Sequence, residues 1–217
     1  MNWPGEPYAI SVVVSNHFKM KPNILEQIIT SISKYISLSV QEKEVLRSSF
    51  TIKEIKANEI ILSEGNICDF EAFIAKGILR TYYVIDGNER IINFFEEYQW
   101  VSDFKSFTLQ EVSKINIQAI EDCKLVLLKY AQVEQLSQQI SQWDALGKLF
   151  FENLFIENFN QIESLLIASP EERYANLLRS RPGLINRIPQ YLIAQYIGVQ
   201  PESLSRIRKR MAAKIRS

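Results

Sequence analysis

The residues best suited to chemistry lie near the C-terminal end, in the run Pro201-Glu202-Ser203-Leu204-Ser205-Arg206-Ile207 and the cations after it. Read as a helix, this run turns Leu204, Ile207, Met211 and Ile215 inward at spacings of three and four. The opposite face carries Glu202, Ser203, Arg206, Lys209 and Arg210. Carboxylates accept from cytosine N4, and guanidinium groups grip guanine O6 and N7, so such a face is suited to the DNA major groove. A helix-turn-helix also needs apolar residues where its helices meet, a small residue near the crossing and a Gly at the tight turn. Over Gln190–Ile207, Ile193, Ile197, Val199, Leu204 and Ile207 supply the wedge, Ala194 the small contact and Gly198 the turn. A generic helical hairpin shares part of this pattern, but residues 188–217 also carry six basic residues against one acid. DNA binding is the stronger reading.

Other chemistries lack their residues. The one histidine, His17, lies in an N-terminal stretch with no assigned role, which leaves no His for a Ser or Cys nucleophile, and no Walker loop occurs. Glu96 and Glu97 are adjacent, so on a strand they face opposite sides and do not form an acid–base pair. Cys68 and Cys123 with one His cannot complete a four-ligand iron–sulfur or zinc site. We expect no enzyme, no metal and no cofactor. Scarce cysteine fits the reducing cytoplasm, with both thiols as small core residues and no bridge. No apolar run approaches the roughly 18 residues of a membrane span, and a cytoplasmic protein is expected.

The elements that must position the basic face follow from the rest of the 217 residues, 47% hydrophobic and 23% charged. The net charge of zero divides into −7 over residues 1–169 and +7 over 170–217, which points to an anionic partner for the tail. Residues 1–22 read as an extension without the basic start of a secretory signal. Two short helices follow between Ile24 and Phe50, and then β-rich runs separated by turns such as Glu64-Gly65-Asn66, Lys76-Gly77 and Asp86-Gly87-Asn88. About eight antiparallel strands over residues 51–130 make a roll or barrel, with a break at 100–113. Residues 131–168 turn helical, and an apolar surface from Trp143 to Leu166 suits packing on the roll and on a second copy. Ser169-Pro170-Glu171-Glu172 starts a further helix, which Arg181-Pro182-Gly183 ends. The whole is an α+β chain in four parts: extension 1–22, roll 23–135, dimerisation helix 136–168 and DNA-binding part 169–217.

This order of roll, long helix and helix-turn-helix resembles the Crp/Fnr family of bacterial transcription regulators over roughly residues 30–213. The strongest local signs are Glu64-Gly65, Phe73-Ile74, Gly77, Arg80, Asp86-Gly87-Asn88-Glu89 and the Pro201–Ile207 run. The resemblance implies a jelly-roll-like β-roll of the cyclic-nucleotide-binding kind, a homodimer, a near-palindromic double-stranded DNA site and RNA polymerase as a partner. It makes Glu202 and Arg206 the base readers and Gln190 and Ser203 phosphate contacts, with Lys209 and Arg210 adding backbone affinity. Pro201 stands where the family has a further base-reading Arg. A β-hairpin wing follows the recognition helix in the family, whereas here only ten residues follow Ile207.

In the family's nucleotide pocket a Gly-Glu pair binds the ribose and an Arg-Ser pair the phosphate. The aligned residues here are Ser102-Asp103 and Ser113-Lys114, with Asn158 and Phe159 on the long helix where the family contacts the base. Ser113 replaces the bidentate Arg, and Lys114 has a different geometry. The sequence therefore predicts a transcription regulator with an unidentified small-molecule effector that is not cyclic AMP. The competing expectation is an architectural DNA-binding protein whose roll serves dimerisation alone.

Overall fold

Backbone requirements at two turns organise the strands. At the β-hairpin tip Asp86 and Gly87 have φ of 52° and 74°, the pair of positive angles that a two-residue turn needs to match the twist of its strands. At the second turn, Gly77 has φ +102°, and a Cβ there would lie 2.5 Å from Cys123 Sγ and 2.9 Å from the Asp122 carbonyl oxygen. The computed structural model describes residues 23–216, with the side chains of the last helix described to Ala213. The expected extension over 1–22, with His17, lies outside the described residues.

Two helices, α1 (Ile24–Ile32) and α2 (Val40–Ser49), precede the strands. Both have side-chain N-caps: Leu25 N–H donates to Asn23 Oδ1, and Ser39 with Glu42 closes a capping box. The strands are β1 (Phe50–Ile55), β2 (Ile60–Leu62), β3 (Phe70–Lys76), β4 (Leu79–Ile85), β5 (Asn88–Phe95), β6 (Trp100–Val101), β7 (Asn116–Ala119) and β8 (Cys123–Lys129), with α3 (Phe104–Leu109) between β6 and β7. They form two four-stranded sheets, in the orders β1-β8-β3-β6 and β2-β7-β4-β5. In the first sheet every pairing is antiparallel, with Phe50 opposite Leu128 and Ala72 opposite Leu127.

Strand β3 divides two cores by its period of two. Phe70, Ala72 and Ile74 join Leu62, Leu79, Ile117 and Leu125 inside the roll, while Phe73 packs with Ile28, Leu46, Leu128 and Leu136 beneath the helices. Both cysteines are buried thiols of the roll, with Cys68 Sγ 3.3 Å from the Phe70 carbonyl oxygen.

After β8 come α4 (Tyr130–Gln139), α5 (Trp143–Ile167), α6 (Pro170–Ser180), α7 (Pro182–Ile185), α8 (Gln190–Tyr196) and α9 (Pro201–Arg216). Two sequence expectations change here. The expected helical stretch 131–168 is broken at residues 140–142, because Ile140 turns extended and buries its side chain beside Leu136. The break at 100–113 contains β6 and α3, elements too short for a periodic signal. As expected, α6 ends before Arg181-Pro182-Gly183, with Arg181 as its C-cap, and Pro182 then starts the short α7, since Pro is tolerated where a helix begins. The described residues after Pro170 contain no strand. The described residues divide into two compact units, 23–80 with 94–156 and 81–93 with 157–216.

The close approach at Gly77 makes a direct prediction. Gly77→Ala should lower unfolding stability by roughly 2–4 kcal/mol, since it adds both a disfavoured backbone angle and a contact with backbone atoms. Urea titration followed by circular dichroism reads the loss as a lower midpoint at unchanged slope, and an unchanged midpoint would show that the turn relaxes freely.

Candidate nucleic-acid interface and sensor loop

The C-terminal unit is built by helix caps. Ser169 Oγ accepts from Glu172 N–H at 3.3 Å, and Glu172 Oε2 accepts from Ser169 N–H at 2.7 Å, closing a capping box that starts α6. The Ser169 hydroxyl and N–H together hold the Glu172 carboxyl below the ordinary carboxylate range. Between α8 and α9 the chain makes a Schellman turn. Gly198 N–H donates to the Gln195 carbonyl at 3.1 Å, and Val199 N–H donates to the Ala194 carbonyl at 2.9 Å, with Gly198 at φ +73°. Ile193, Ala194, Ile197, Leu204 and Ile207 are buried as expected, and Val199 is half-buried at the turn.

Arg173 was not singled out by sequence, yet it ties this turn to α6. Its Nε donates to the Ile197 carbonyl at 3.0 Å and its guanidinium also reaches the Ala168 carbonyl. No local signal in the α6 sequence, which carries two Glu and two Arg, points to it. A charge-assisted donor on the carbonyl that ends α8 fixes where α9 can leave the turn.

On α9, Glu202, Arg206 and Lys209 are exposed at spacings of four and three, opposite buried Leu204 and Ile207. Ser203, half-buried, and Arg210 flank that row. Arg210 Nη2 lies 3.1 Å from Glu171 Oε2 of α6, and Gln190 accepts a hydrogen bond from Arg208. The first is a surface ion pair, a kind that contributes less than about 1 kcal/mol, and the second is an exposed hydrogen bond to a neutral amide. They position the cations without locking them away from an anionic partner.

The loop aligned with the family's nucleotide pocket is closed on itself. Ser102 is buried and donates to the Phe70 carbonyl at 2.8 Å. Asp103 caps α3 by accepting from Ser106 N–H at 3.2 Å, while its other oxygen accepts from Ser113 Oγ at 2.7 Å. Ser113 is buried, whereas the next residue, Lys114, is exposed. The four residues thus meet in space, but as a capped and hydrogen-bonded turn whose lysine points to solvent. Asn158 and Phe159 lie on the exposed surface of α5. Arg80, buried in β4, donates from Nε to Gln118 Oε1 at 2.9 Å.

The chain combines an antiparallel roll with the helix pair α8 and α9. Residues 52–140 match the family of cyclic nucleotide-binding domains. Over most of the chain the fold is similar to that of solved Crp/Fnr family transcription regulators. FixK2 from Bradyrhizobium japonicum is 18% identical with a TM-score of 0.66, the match covering 76% of this chain and 85% of that one. The c-di-GMP responsive global regulator CLP of Xanthomonas campestris is 14% identical at TM-score 0.62, over 81% and 93% of the two chains. A Crp/Fnr family regulator from Eubacterium rectale is 17% identical at 0.61, over 82% and 85%. No curated protein matches in sequence. Among the described residues no helix is long and apolar enough to cross a membrane.

The Arg173 tether generates a prediction separate from base reading. Arg173→Ala should loosen the turn and weaken binding to all DNA sequences alike, by about 1–2 kcal/mol, with a matching loss of stability in the C-terminal unit. Fluorescence anisotropy on specific and random duplexes, with hydrogen exchange at Gly198 and Val199, checks both parts. A change of base preference would instead make Arg173 a reading residue.

Proposed function

We propose that this protein is a homodimeric transcription regulator of Crp/Fnr type that reads a near-palindromic DNA site through α8 and α9. The observation that carries the proposal is the Schellman-turned helix pair with Glu202, Arg206 and Lys209 in one exposed row. Arg206 and Glu202 read base edges, Gln190 and Ser203 meet phosphates, and Lys209 and Arg210 supply sequence-independent affinity. Dimerisation is supported by α5, on which no residue is buried within one chain while Phe155 is 71% and Leu166 82% exposed. So long an apolar surface is a normal feature of an interface and an abnormal one for a monomer. Pairing α5 with its copy sets two recognition helices about 34 Å apart, one turn of DNA. The family likeness further supports RNA polymerase as a partner.

The sensor loop argues against a cyclic nucleotide. An enclosed phosphodiester needs a positive counterpart, and here Asp103 brings a negative charge to the place where Ser113 offers one hydroxyl already donated. This closure also favours the second reading, an architectural DNA-binding protein without effector. A small molecule that shifts DNA affinity separates the two.

Three measurements test these assignments. Arg206→Ala should cost about 1–3 kcal/mol per half-site and relax preference at one symmetric pair of positions, while Lys209→Ala weakens all sequences equally. Equal losses on specific and random duplexes for both variants would remove the reading role. Sedimentation should give a dimer at micromolar concentration, and a monomer with and without DNA would contradict the interface. Calorimetric titration with cyclic AMP should show affinity at least about 30-fold below that of a loop carrying a guanidinium, a low micromolar dissociation constant being the contrary result.

A further inference from the structure

On the outer side of β3 the first unit holds a cavity of about 310 Å³, to which Phe107 and Thr108 of α3 also contribute. Its walls are aromatic, with Phe73, Trp100, Trp143 and Phe150 among them. The charged group in this wall is Glu71, on the same face of β3 as Phe73. Among the described residues no lysine, arginine or histidine lines the cavity, and the other titratable side chains there are Tyr35 and Tyr130. Among the described residues the Glu71 carboxyl has no hydrogen-bond or ion-pair partner.

A second observation concerns the space itself. Gly147 of α5 lines the cavity, and a Cβ built there would meet no atom within 4 Å. Glycine inside a helix costs stability relative to alanine, and neither a turn nor a close contact requires it at this point. A side chain at this position would enter open space beside the cavity wall.

We propose that this cavity is a binding site for a small aromatic amine, whose ring fills the aromatic enclosure and whose ammonium group pairs with Glu71. A cation is selected because the site offers a lone carboxyl and aromatic faces, both attractive to positive charge, and among the described residues no cationic side chain to balance an anion. Burial pushes the Glu71 carboxyl up to about 7. Burial likewise raises Tyr35, and the nearby Glu134 charge raises Tyr130, so both phenols stay neutral through the range where Glu71 titrates. Because the folded value for Glu71 lies above that of the unfolded chain, stability falls as pH rises through the window from about 4.5 to 7. An ammonium ligand reverses that trend by favouring the ionised carboxylate, and at neutral pH its binding releases protons.

The site does not depend on DNA binding, so it is tested on the full chain without DNA. Tryptamine is the probe, with indole and indole-3-propionate as neutral and anionic counterparts of similar size. Isothermal titration at pH 7 in buffers of differing ionisation enthalpy should show tryptamine binding one per chain with proton release, and more tightly than either counterpart. Glu71→Gln should weaken tryptamine about tenfold or more and abolish the proton release while leaving indole unchanged. Gly147→Leu should weaken both tryptamine and indole by occupying the space, and it keeps the test open if Glu71→Gln does not fold. The proposal is overturned if tryptamine does not bind at millimolar concentration, if it binds no more tightly than indole-3-propionate, or if neither substitution changes its affinity.

Discussion

Strand β3 is apolar on both faces from Phe70 to Ala75 except at Glu71, and the first unit is arranged around that fact. Its inner residues Phe70, Ala72 and Ile74 belong to the roll, and its outer residue Phe73 belongs to the helical layer, where Trp100 meets it edge-on with ring centroids 5.4 Å apart. A strand covered on both sides cannot slip by one residue without exchanging its two cores, so its register against β8 and β6 is strongly specified. The same alternation puts Glu71 on the outer face, among aromatic side chains. Glu71 is thereby the one charge in the covered part of the strand, since Lys76 lies exposed at its end.

The C-terminal unit solves a different problem, the presentation of a polar helix face at a defined angle. Caps do most of this work. Ser169 and Glu172 start α6, Gly198 ends α8 in a left-handed turn, and Pro201 starts α9, so each boundary is set by a local backbone preference. The tertiary element is Arg173, which satisfies the Ile197 carbonyl and so joins the turn to α6. Local caps give the elements, and one buried-end cation gives their relation.

Much of this was legible in the sequence for reasons of period and turn chemistry. Alternating and helical apolar patterns carried most of the strands and most helices, and Asp86-Gly87 and Gly198 demanded positive φ wherever they occurred. The inner stripe of α9 followed from spacing, and the opposite face had then to hold Glu202, Arg206 and Lys209. Short elements escaped, because β6 and α3 contain too few residues to show a period. The break at Ile140 escaped as well, since an isoleucine that leaves a helix to fill a core has the same sequence signature as one that stays in it.

What the sequence by itself determined is the identity of the faces: which residues turn inward, which turns need glycine, and which helix offers acid and base together to solvent. What only the tertiary structure decided is how distant residues meet. The pairing of Ser113 with Asp103, ten positions apart, depends on the loop closing over the cap of α3, and no local propensity encodes that distance. Arg173 bonding to Ile197 and the enclosure of Glu71 beside Gly147 are of the same kind, because each joins segments whose separation along the chain gives no periodic signal. Period and turn preference act over a few residues, whereas a hydrogen bond or a cavity wall between remote segments exists only once packing has brought them within contact range.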